Sequence, residues 1–263
     1  MQAALPMYFP PREAVQAFWS ALAALLTTQG AEVPTQLNWP DDYLAHWRQD
    51  NVLLSQTCGY PLTTLLAGQV QLVGSLAYDA PGVQGIHCRS QLVCRSGDAR
   101  TELLAFAGST LAYNDSHSQS GYNALRALIA RSSPLRPFYG RSVETGSHAA
   151  ALEAVRLGAA DMAAIDPVSL AHWQRANPQH SAELRVFGQS DAYPGLPLIT
   201  ALGTSPIQLA RLRAGLRMLC HDAAYAALRA PLLITGFEIT QIADYQVCLD
   251  MQAQAAARGL HQL

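Results

Sequence analysis

Between residues 110 and 190, short apolar runs alternate with helix-forming ones, and this alternation constrains the fold more than any other feature of the chain. Residues 111–113 read as a strand. Residues 120–131 read as a helix with Leu125, Leu128 and Ile129 on one face. An extended stretch at 142–144 follows, then a helix over 149–157 closed by Gly158, a strand at 162–165, a helix at 168–175 and a further extended run at 184–187. Strands that alternate with helices bury both faces of a sheet, so the expectation is an α/β fold with mainly parallel strands.

The flanks fit the same scheme. Residues 3–7 form a short apolar run. Behind Pro10, Pro11, Arg12 and Glu13, the residues Val15, Phe18, Trp19, Leu22, Leu25 and Leu26 recur at helical spacing. Leu37 and its neighbours are a second strand candidate, 41–47 a short helix, 51–55 a buried strand and 61–66 the start of the next helix. The β-rich runs 70–77 and 86–94 are separated by a turn at Pro81 and Gly82. Past the strand expected at 198–202, residues 206–228 and 239–258 read as helical.

Composition narrows the chemistry. All 17 basic residues among the 263 are Arg. Without Lys there is no Schiff-base link to pyridoxal phosphate and no P-loop or kinase-type lysine. A net charge of -2 disfavours nucleic acid as a partner. The five Cys, at 58, 88, 94, 220 and 248, form no CxxC pair and read as buried apolar side chains. No stretch approaches the roughly 18 apolar residues of a membrane span. The amphipathic 14–26 segment is a helix of the fold rather than a signal peptide. The chain as written is therefore expected to be cytoplasmic if complete, or periplasmic if a leader has been omitted. Nothing in it calls for a metal or cofactor; no HExxH, GxSxG or GxGxxG motif occurs.

In open α/β sheets, ligands sit beyond the carboxyl ends of strands. Five such ends carry ligand-capable side chains. After 111–113 comes NDSHSQSG, with Ser118, Gln119 and Ser120 just before a helix. After 142–144 comes TGSH, with Thr145, Ser147 and His148 at the next helix start. The strand 162–165 runs into Asp166, followed by Pro167. In the first part of the chain, Tyr8 follows the first run, and Gln56 and Thr57 lie within SQTCGYP. Each alone reads as a helix cap. Together they describe an anion site made of hydroxyls and backbone N–H groups at helix starts.

The ordered combination of SQTCGYP, NDSHSQSGYNALR, TGSH, AAIDPV and PGLPLIT resembles the phosphate/phosphite/phosphonate-type substrate-binding proteins of ABC transporters over nearly the whole chain. The resemblance implies a type 2 periplasmic-binding-protein fold. Two α/β lobes would clamp a small polar, oxyanion-bearing ligand by hinge closure, with transporter membrane subunits as partners. Lobe 1 would comprise 1–87 and 195–263, lobe 2 would comprise 88–194, and the ligand cleft would lie at their interface. The family's Ser-x-Ser-Gly ligand stretch carries over to Ser118, Gln119 and Ser120, and its Ser-His to Ser147 and His148. Gln119 stands where many members have Thr. Asp166 would repel a fully ionised phosphonate and suits a protonated oxyanion or a ligand amine. Two other functions remain open on the same fold. One is a cytoplasmic enzyme using Asp166, His148 and Cys58 as acid, base or nucleophile; the other is an intracellular ligand-sensing domain.

Overall fold

The computed structural model describes residues 1–5, 7–8, 10–134 and 137–263. In chain order its elements are β1 (Gln2–Ala4), α1 (Arg12–Thr28), α2 (Tyr43–Trp47), β2 (Val52–Gln56), α3 (Gly59–Thr63), β3 (Val70–Tyr78), β4 (Val83–Gln84), β5 (His87–Cys88), β6 (Gln91–Arg95) and β7 (Thr110–Tyr113). A π-helical turn (Gln119–Asn123) leads into α4 (Ala124–Ser132), β8 (Arg141–Glu144), α5 (His148–Arg156), β9 (Met162–Ile165), α6 (Pro167–Ala176), α7 (Pro178–Ser181) and β10 (Leu184–Gln189). The chain finishes with β11 (Tyr193–Pro194), β12 (Pro197–Ala201), α8 (Pro206–His221), α9 (Ala226–Arg229), β13 (Ile234–Glu238) and α10 (Gln246–Ala257).

Two compact units result. Unit 1 gathers Met1–Asp79, Gln84–His87 and Pro194–Asp244; unit 2 gathers Ala80–Val83, Cys88–Tyr193 and Tyr245–Leu263. Three of the changeovers fall inside the short strands β4, β5 and β11. A further changeover, between Asp244 and Tyr245, places 245–263 in unit 2, whereas the expected division keeps 195–263 whole in lobe 1. Helix α10 packs on α4 in unit 2: Asn123 donates to the Cys248 carbonyl at 2.8 Å, and Ala255 and Leu260 join a core with Leu125 and Ile129. These apolar contacts outweigh the chain's direct route back into unit 1.

Unit 1 is built on a sheet of order β1-β2-β12-β3-β13. Helix α1 buries Phe18, Trp19, Leu22 and Leu26, the stripe that its periodicity indicates. It meets α8 at Gly215, where a Cβ would stand 3.0 Å from Leu22 Cδ1; glycine lets the two helices close. Each such leucine contributes about 1.5–3 kcal/mol by leaving water. Residues around Leu37 are not a strand. They form an irregular segment held by Gln16, whose Oε1 accepts from Leu37 N at 3.1 Å, and by Asn38 N donating to the Ala3 carbonyl. Of the apolar run at 3–7, residues 3–4 belong to β1, and Pro6 lies outside the described residues.

Unit 2 carries the sheet β10-β6-β9-β7-β8. Strand β7 runs parallel to β8 and β9, whereas β6 runs antiparallel to both β9 and β10. In unit 1, β12 is likewise antiparallel to β2 and β3. Both sheets are thus mixed rather than mainly parallel, because β6 and β12, the strands that follow changeovers, run against their neighbours. Leu111, Ala112, Met162, Ala163, Ala164 and Ile165 are fully buried, as strands covered on both faces require.

Candidate functional site

In unit 2, β7 ends at Tyr113 and a polar loop leads to Ser118. Ser118 Oγ accepts from Gly121 N at 3.1 Å, and Asn123 N donates to the Ser118 carbonyl at 2.9 Å. This i to i+5 bond makes the first turn a π turn, a geometry concentrated at functional sites. Gly121 leaves room there: a Cβ would push Asn114 Oδ1 aside and stand 3.2 Å from His148 Cε1. The turn brings Ser118 Oγ to 3.3 Å from Ser120 Oγ, and Ser120 Oγ to 2.9 Å from His148 Nε2. Ser90 fixes it from below, donating from Oγ to the Ser120 carbonyl at 2.8 Å while meeting Tyr193 OH at 2.8 Å.

The second helix start sits against the first. Thr145 Oγ1 reaches the carbonyls of Tyr113 (2.9 Å) and Ser147 (3.1 Å), so its hydroxyl shapes the loop. Gly146, with φ 81°, takes the left-handed turn that the loop needs and donates to the Asn114 carbonyl. Ser147 caps α5 by accepting from Ala150 N. His148 is the first residue of α5 and is buried. Desolvation pushes its pKa down to about 3, so the imidazole is neutral. Its Nδ1 is sealed from solvent with no partner, as is Asn114 Oδ1.

Strand β9, beside the π turn, delivers Asp166 to the N-cap of α6. One carboxylate oxygen accepts from Val168 N (2.9 Å) and Ser169 N (3.0 Å). Burial raises its pKa to about 6 and outweighs the lowering by those N–H bonds. Ser118, Ser147 and Asp166 all act as caps. Capping uses only their acceptor capacity and leaves the serine hydroxyl protons available.

Gln119 points elsewhere. Its Oε1 accepts from Asn123 Nδ2 at 2.8 Å and its Nε2 lies 3.1 Å from Met251 Sδ, so its carboxamide is engaged inside unit 2. In unit 1, Tyr8 (φ 74°) and Gln56 converge on Tyr78. The Tyr8 and Tyr78 rings meet edge-on at 5.0 Å, and Gln56 Nε2 donates to Tyr78 OH at 3.1 Å. Thr57 N donates to the Pro197 carbonyl, while its Oγ1 is buried without a partner. Tyr78, Ser90, Asn123 and Arg126 did not stand out in the sequence. Asn123 and Arg126 lie within a helical run, Ser90 lies in the short connection between β5 and β6, and Tyr78 ends β3, and only long-range pairing marks them out.

The comparisons agree with this architecture. The model of the ABC-transporter phosphonate periplasmic substrate-binding proteins matches residues 7–245. No curated protein matches the chain significantly. Among solved structures, it is similar to a binding protein component of an ABC phosphonate transporter from Pseudomonas aeruginosa, with TM-score 0.80 and 17% identity, covering 98% of this chain and 87% of that one. PhnD1 from Prochlorococcus marinus, solved with methylphosphonate, gives TM-score 0.74 and 13% identity, with 97% of each chain covered. XAC2383 from Xanthomonas citri, solved with ATP, gives 0.70 and 16%, covering 99% and 98%. These likenesses show a two-lobed periplasmic-binding-protein fold, and, with the family match spanning nearly the whole sequence, the chain belongs to the phosphonate substrate-binding proteins of ABC transporters.

Proposed function

We propose that this chain is a solute receptor whose unit 2 holds a small oxyanion, of phosphonate or phosphite type, at the paired helix starts. The observation that carries this reading is the hydroxyl cluster Ser118–Ser120–His148, with Ser120 Oγ at 2.9 Å from the ring and 3.3 Å from its sister hydroxyl. Neutral donors gathered at helix N-termini match the surface of a tetrahedral oxyanion. Asp166 in the same unit favours a ligand that keeps a proton to donate. That PhnD1 was solved with methylphosphonate supports the same ligand class. A transporter's membrane subunits are the partners that this reading implies. Gln119 and Thr145 serve through the backbone they shape, and Tyr8, Gln56 and Thr57 are the ligand-facing groups proposed for unit 1.

The test is a thermal-shift and calorimetric panel of methylphosphonate, an aminophosphonate, phosphite and phosphate. A ligand at about a hundred times its Kd stabilises the native state by about 2.7 kcal/mol, a readily measured rise in Tm. A complete panel without a shift at millimolar concentration would overturn the reading.

A further inference from the structure

Every group in the hydroxyl cluster is uncharged, yet a full positive charge lies in the same helical run. Arg126 is 5% exposed and is the third residue of α4. Its Nη1 donates to the His261 carbonyl at 2.7 Å, its Nη2 donates to Asn123 Oδ1 at 3.0 Å, and its guanidinium carbon stands 5.4 Å from the centre of the Tyr122 ring. Its Nε is sealed with no acceptor. Among the described residues, no carboxylate pairs with it.

The cost at this residue is that of burying a cation without a counter-ion, which is strongly disfavoured. The charge is also coupled to the side chain between the two serines. Asn123, which accepts from Arg126, donates to Gln119 Oε1 at 2.8 Å, and Gln119 Nε2 in turn lies 3.1 Å from Met251 Sδ, so the coupling reaches the Ser118–Ser120 turn through the field of the aligned carboxamides rather than through a bond to either hydroxyl. Carboxamides aligned head to tail in a buried chain polarise one another.

Resting on the reading that the hydroxyl turn holds an oxyanion, we propose that Arg126 is a specificity-determining residue. Its uncompensated buried charge makes the Ser118–Ser120 turn electropositive without touching the ligand, so that the anion itself is the missing counter-charge. This also assigns a role to Gln119: a positioning residue in the relay rather than a ligand contact.

The experiment is calorimetric titration with methylphosphonate of the wild-type chain and of Arg126→Gln, Asn123→Asp and a variant lacking 261–263, each checked for folding by circular dichroism. Removing the charge (Arg126→Gln), or cancelling it with an adjacent carboxylate (Asn123→Asp), should weaken binding by about tenfold or more. The tail deletion, which keeps the charge, should stay within about threefold of wild type. A folded Arg126→Gln or Asn123→Asp that binds like wild type overturns the proposal. So does a tail-deletion variant as weak as Arg126→Gln, since that would make the residue a mere clamp for the tail. If the wild-type chain binds no oxyanion of the panel, the functional reading fails first and this proposal with it.

Discussion

Ser120 Oγ and His148 Nε2 stand 2.9 Å apart although 28 positions separate them, and each begins or precedes a different helix of unit 2. With His148 neutral, that bond has one direction at a time. If Nε2 carries the proton, Ser120 accepts it and its own hydroxyl proton is free for an anion. If Nδ1 carries it, Ser120 donates to the ring. An anion in the cluster selects the first arrangement.

Gly121→Ala tests how tightly this arrangement is built. The new methyl overlaps Asn114 Oδ1, the end of a flexible side chain, and presses on the His148 ring. Asn114 can swing aside, so the expected loss of stability is about 1–2 kcal/mol. Affinity for methylphosphonate should fall more than stability does, as measured by calorimetry beside a denaturation curve.

Thr57→Val should separate folding from binding. It replaces a buried hydroxyl that has no partner by a methyl of the same shape. Ligand-free stability is expected to rise by about 1 kcal/mol. Ligand affinity is expected to fall if unit 1 offers that hydroxyl to the solute. Equal affinity would remove Thr57 from the site.

Stability against pH should carry two opposed signatures. Asp166 is raised from 3.8 to about 6, so its contribution is complete below pH 4 and is lost as the pH rises through 6. His148 is lowered from 6.5 to about 3, so its contribution is present above pH 6.5 and is lost as the pH falls towards 3. Asp166→Asn, which can still cap α6, should stabilise the chain at pH 7 by roughly 2 kcal/mol and leave it unchanged near pH 3. His148→Gln should flatten the acid limb. Chemical denaturation at pH 3, 5 and 7 reads both.

Affinity should depend weakly on ionic strength. The cluster is buried and Arg126, in the same helical run, is internal, so mobile ions screen little of the interaction. A change in Kd of less than about threefold between low and physiological salt is expected. A steep loss would point to exposed arginines in the site.

Periodicity and punctuation made most elements legible beforehand: α1 from its apolar stripe, α5 from Ser147 and Gly158, and α6 from Asp166 followed by Pro167. The family resemblance rested on residues at strand ends, where local sequence and ligand chemistry coincide. What escaped notice was long-range. Strand β13 lies between two helical stretches with no strong alternation, and it is a strand because β3 offers it an edge. The assignment of α10 to unit 2 depends on Asn123 and Ile129, more than a hundred positions away. Gln119 looked like a ligand group by position. Its side chain is engaged by Asn123 and Met251, and neither is marked by local pattern.

The strand order of unit 1 also dictates when this chain can fold. Strand β12, which lies between β2 and β3, is made only after residues 88–193 of the other unit. Until it arrives, β2 and β3 each expose an unsatisfied apolar edge, open to pairing with other chains. A nascent or truncated chain ending near residue 190 is therefore an aggregation hazard, and full-length folding should be slow, governed by closure of that long loop rather than by helix formation.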